Sequence, residues 1–185
     1  MPILIIVAVL AVITLILYNS LIVKKNQVRN VFATIDVLLK KRYDLIPNLV
    51  ATVQRYMEHE KETFTAITQL RAKAISSPGS SNQQVEIDNR ISAMLRGIFV
   101  SVENYPELKA NQNFLQLQAA LNEIEEQLSA ARRAYNAAVT DLNNAIEMFP
   151  TNILASLMKL EKGVLFQLPE TEKTNVNVKE LFTPK

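Results

Sequence analysis

Apolar residues follow two patterns in this chain, and each predicts a different kind of helix. The first is a solid block: from Met1 to Val23 no side chain is charged, and Ile3 to Leu17 is almost unbroken Ile, Leu, Val and Ala. About 20 apolar residues cross a bilayer as a helix, so the block predicts a transmembrane anchor over residues 1–23. No Lys or Arg precedes it and no small-x-small cleavage pattern follows, which argues against a cleaved signal peptide. The second pattern is an alternation of steps of three and four. Phe114, Leu117, Leu121, Ile124, Leu128, Ala131, Tyr135, Ala138, Leu142, Ala145 and Phe149 keep it without a miss. A sustained 3.5-residue repeat implies knobs-into-holes packing, here on a helix about 60 Å long that Pro150 ends.

A second seam of this type runs through Val28, Phe32, Ile35, Leu39, Arg42, Ile46, Leu49, Val53 and Tyr56. It holds its phase across Pro47, which favours one helix kinked at the proline over a hairpin at Leu45–Asn48, although a break there stays open. The apolar stripe resumes at Phe64, Ile67, Leu70 and Ala74. Ser76–Asn82, rich in Ser, Pro and Gly, reads as a loop. A third helix is marked by Ile87, Ile91, Met94, Ile98 and Val102 and should end near Tyr105-Pro106. Ile153–Leu160 predicts a short, membrane-facing helix, and Val176 and Val178 alternate with asparagines as a short strand would, in what otherwise reads as a disordered terminus.

Composition narrows the fold. Three Gly, no Trp and much Ala, Leu, Gln and Glu favour helix over strand. The expectation is an all-α protein: an N-terminal transmembrane helix carrying an elongated antiparallel helical bundle or coiled coil of three to four long helices. Its parts are an anchor over 1–23, the bundle over 24–160 and a C-terminal tail over 161–185. Lys24, Lys25 and Arg29 directly follow the anchor, so the positive-inside bias favours an outward N-terminus and a cytoplasmic body. Lys24–Lys73 holds 10 basic and 5 acidic side chains, which puts positive charge nearest the bilayer and its anionic lipid headgroups.

Much chemistry is excluded by what the chain lacks. The absence of Cys removes disulfides, thiolate metal sites and Cys nucleophiles. His59 is the single histidine, so one chain assembles neither a Ser-His-Asp triad nor an HExxH zinc site. Glycines at 79, 97 and 163 make no phosphate-binding loop, and a net charge of +2 is too small for a dedicated nucleic-acid binder. Glu58 and Glu62 stand at helical spacing, as solvated acidic pairs commonly do. No catalytic residue, cofactor or metal site is expected. The informative polar residue is Arg42, a charge on an apolar seam with Asp44 beside it. Such a charge must be paired or reach water, and Glu103 on the third helix is the candidate partner.

Three blocks, RYDLIPNLV from Arg42, YPELKANQNF from Tyr105 and RRAYNAAV from Arg132, lie within longer stretches that resemble the LemA family. The resemblance implies a bacterial protein with an N-terminal transmembrane segment, a largely helical body and no established enzymatic activity. The positions it highlights are Arg42, Asp44, Pro47, Asn48, Pro106, Asn113, Arg132 and Tyr135, without agreed roles; residues 163–185 depart from the familiar pattern. Two functions compete. If the heptads close between chains, copies form a membrane-organising scaffold, a homo-oligomer. If they close within one chain, an adaptor for a membrane protease or envelope-stress partner is favoured.

Overall fold

The computed structural model describes residues 1–76 and 81–166 of the chain. Helix α1 (Pro2–Val53) is continuous from the anchor through Pro47, so the hairpin alternative at Leu45–Asn48 is ruled out. A single 3-10 turn at Glu58–Glu60 reverses the chain into α2 (Lys61–Ser76). Helix α3 (Ser81–Val102) leads through the one-turn α4 (Pro106–Lys109) to α5 (Gln112–Glu147), and α6 (Thr151–Leu157) is the last helix among the described residues. Asn111 caps α5, its side chain accepting from the Phe114 amide at 3.1 Å, and donates to the Tyr56 hydroxyl at 3.3 Å. The middle of the loop read over Ser76–Asn82, and Val176 and Val178, lie outside the described residues.

The fold is all-α, with α1 and α5 antiparallel along their lengths. Tyr56 meets Asn111 at the far end, Arg42 meets Glu125 midway, Phe32 packs at a tilt against Tyr135 nearer the anchor, and Leu21 shares a cluster with Ala145 and Ala155 at the base. Helices α2 and α3 pack beside this pair and complete a four-helix bundle. Both seams close inside the one chain: Ile35, Leu39, Ile46, Leu49 and Val53 of α1 are buried, as are Phe114, Leu121, Ile124, Leu128, Tyr135 and Leu142 of α5. Phe149 is an exception to the predicted seam. It is 79% exposed, because the chain turns at Pro150 before the helix reaches another partner.

The apolar block behaves differently. None of the most apolar stretch of α1 is buried against the bundle, so it is not one of the bundle's core helices. Leucine and isoleucine side chains along it, such as Ile3 at 75% and Leu15 at 62%, face outward, as those of a bilayer-crossing helix would. At its foot, α6 turns back beside Leu21 and leaves Met148, Phe149, Ile153 and Leu157 exposed. The predicted short apolar helix is therefore present, and it sits at the anchor end of the bundle.

Candidate functional site

Arg42 lies at mid-height on α1 and is 3% exposed. Its Nη1 donates to Asp88 Oδ1 of α3 at 3.0 Å and lies 3.1 Å from Glu125 Oε2 of α5. Arg132 of α5 bonds the other oxygen of Asp88 and lies 3.9 Å from Glu125. Two cations and two anions thus neutralise one another across three helices. Burial pushes the Asp88 carboxyl up from its ordinary range, while Arg42 and Arg132 draw it back and Glu125 adds to the rise. Breaking such a buried pair from one side costs about 3–5 kcal/mol, so the network penalises any sliding of α3 against α1 and α5.

Pro47 explains a second tie at the same height. It has no amide hydrogen, so the Tyr43 carbonyl four residues earlier loses its helical donor. Arg71 of α2 supplies one: its Nε donates to the Tyr43 oxygen at 2.7 Å. Asp44 flanks that guanidinium at 3.9 Å and accepts from Lys40 at 2.7 Å. Two turns of α1, from Lys40 to Pro47, thereby hold α2, α3 and α5 together. Tyr43 is 7% exposed, and its hydroxyl is pushed far above the usual tyrosine range by burial first and by the Asp88 charge second.

Arg42, Asp44 and Pro47 therefore belong to one device, and Glu103 does not. Glu103 is exposed and pairs with Lys109, so the acid that meets Arg42 is Asp88. The sequence held the cue. Asp88, Ile91, Leu95, Ile98 and Val102 alternate three and four and are all buried, which puts Asp88 on the true seam of α3 and Glu103 one step past it. Glu125 and Arg132 follow the seam residues Ile124 and Ala131. Arg71 carries no such mark.

Tyr135 serves another part of the bundle, near its base. Its ring lies 5.8 Å from Phe32 and 4.9 Å from Phe166, the latter edge-on. Phe166 arrives on an extended strap, residues 161–166, that the sequence reading placed in the tail. The Asn143 side chain donates to the Gly163 carbonyl at 3.0 Å and accepts from its amide at 2.9 Å. Asn136 does the same to Phe166, at 2.9 and 2.8 Å. On the other side of Tyr135 opens a cleft of about 350 Å³ between α1 and α5, walled by Ile22, Phe32, Tyr135 and Leu142 and rimmed by Lys25 and Arg29. Lys24 does not line it, so the three membrane-proximal cations are not equivalent.

The LemA family profile matches residues 31–179, so it extends into the region after Gly163 whose sequence departs from the familiar pattern. Protein LemA of Metamycoplasma hominis is 29% identical over 163 residues, covering 88% of this chain and 74% of that protein. Magnetosome protein MamQ 2 of Paramagnetospirillum magneticum is 22% identical over 190 residues, with 89% of this chain and 70% of that protein covered. Magnetosome protein MamQ of Magnetospirillum gryphiswaldense is 20% identical over the same coverage. The profile spans well over half of the sequence, and the chain belongs to the LemA family.

Proposed function

We propose that this LemA-family protein is a non-catalytic, membrane-anchored structural protein whose copies gather at the bilayer as a homo-oligomer and organise or reshape it. The observation that carries the reading is the apolar base. At the foot of the exposed anchor helix, Met148, Phe149, Ile153 and Leu157 are exposed apolar side chains fit to enter the headgroup layer, and Lys24, Lys25 and Arg29 follow the apolar block on α1. An anchor joined to an interfacial wedge occupies area in one leaflet, which is what a protein that organises membrane shape needs. The mid-height charges neutralise one another around the buried Arg42–Asp88 pair, an arrangement suited to holding helices together.

The long seams do not serve as the contact between copies, since both are used within the chain. Association would run through outer faces, where Val37, Ile75, Val100 and Leu115 are exposed. The same internal closure favours the second reading, an adaptor that presents a self-contained rod to a protein partner at the membrane. The mass of the full-length protein in mild detergent, measured by light scattering, separates the two. A discrete many-copy species is expected. A clean monomer would overturn self-assembly and leave the adaptor, whose complex with a second protein would then be sought.

A further inference from the structure

We propose that the cleft where the anchor enters the bundle is a specific site for one anionic phospholipid, its phosphate held between Lys25 and Arg29 and an apolar chain lying along the cleft. Ile22, Lys25, Arg29 and Phe32 are spaced three, four and three apart, so they form one stripe on α1 with two cations between two apolar side chains. Tyr135 and Leu142, seven residues apart on α5, form the facing wall. The volume of about 350 Å³ lies within the range of small-molecule pockets, about 300–1,000 Å³.

Three observations select the occupant. Among the described residues no carboxylate lines the cleft and neither Lys25 nor Arg29 has an ion-pair partner, although acids elsewhere in the bundle are paired. Two unpaired cations one helical turn apart call for an anion, and the apolar walls call for more than a free one. Ile22 is the last residue but one of the uncharged block, so the mouth of the cleft opens at the headgroup layer, where anionic lipids present both features. Tyr135 is backed by Phe166 at 4.9 Å, which holds that wall of the cleft in place.

The inference rests on the anchoring part of the function proposed above and is independent of self-assembly. Full-length protein in mild detergent is incubated with mixtures of phosphatidylglycerol and phosphatidylcholine, and retained lipid is counted by native mass spectrometry. One phosphatidylglycerol per chain is expected, with phosphatidylcholine not retained. Lys25→Gln/Arg29→Gln should lower that retention about tenfold. Lys24→Gln/Lys159→Gln, which removes the same charge from residues at the same end of the bundle that do not line the cleft, should leave it unchanged. Equal loss in both double variants would reduce the effect to surface attraction and overturn the site. Displacement of the lipid by inorganic phosphate would overturn it too, leaving an anion site without a lipid chain. Extraction of either variant from membranes by an alkaline wash would instead indict the anchor, so the two failures are told apart.

Discussion

A proline within a helix deprives one carbonyl of its donor, and at Tyr43 the side chain that takes over is Arg71, 28 residues away in sequence. This exchange has a test that an ordinary surface contact would fail. Arg71→Ala leaves a carbonyl unsatisfied and should destabilise the protein by about 1–3 kcal/mol in urea unfolding. In a Pro47→Ala background the restored amide re-bonds Tyr43, so the same Arg71→Ala change should cost distinctly less. Strict additivity in that double-mutant cycle would show that the two residues do not act on one carbonyl. Tyr43 itself predicts a pH dependence. Its folded-state value lies above the unfolded one of about 10, so its contribution is present below pH 10 and is lost as pH rises through the folded value. Stability should fall in alkali with a slope of up to about 1.4 kcal/mol per pH unit, and Tyr43→Phe should remove that part of the slope. Arg42, Asp44 and Pro47 could be read from the sequence because each breaks a local pattern: a charge on a seam, an acid beside it, a proline in phase. Arg71 breaks none. It lies on an otherwise ordinary polar face, and only the topology brings it to the carbonyl that Pro47 strands.

Among the elements, α1 and α5 announce themselves by period, and their boundaries follow from caps and prolines that stand in the sequence: Asn111 before α5 and Pro150 after it. The strap over residues 161–166 does not. Asn136 and Asn143 look like solvated helix positions, and the match that makes them a clamp is one of lengths. Seven residues of helix rise about 10.5 Å, and three residues of extended chain span about 10 Å, so the two amides meet Gly163 and Phe166 in step. A Cβ on residue 163 would lie 3.0 Å from Val139 Cγ1, which is why glycine suits that rung. Asn136→Ala/Asn143→Ala should release the strap as a unit. The Gly163 and Phe166 amides should then exchange hydrogen much faster, while helices α1 and α5 keep their protection. Exchange that accelerates equally throughout α5 would mean the asparagines hold the bundle rather than the strap. Period-based reading has no access to this contact, because it joins a helix surface to a segment with no period of its own.

At the scale of the whole molecule the decisive feature is that anchor and bundle share one helix, so the orientation of the rod follows that of the membrane span. From Leu21 at the base to Val53 at the far end, α1 rises about 48 Å, which places one end of the bundle at the bilayer and the other deep in solvent. The base is where Phe149 and Leu157 remain 79% and 75% exposed, a cost in water that contact with headgroups and upper acyl chains would relieve. The natural chain contains no cysteine, so a single introduced thiol reports one position without background. In vesicle-reconstituted full-length protein, a polarity-sensitive fluorophore on Phe149→Cys should show an apolar environment. The same probe on Val100→Cys, an exposed position at the opposite end, should report water. Matching polar signals would mean that the bundle stands clear of the bilayer and that α6 is not a wedge. Which residues are apolar is written in the sequence, but it is the turn at Pro150 that brings Ala155 of α6 back against Leu21 and leaves Met148, Phe149, Ile153 and Leu157 exposed at that end, and the two probes separate a base set into a membrane from a rod merely tethered to one.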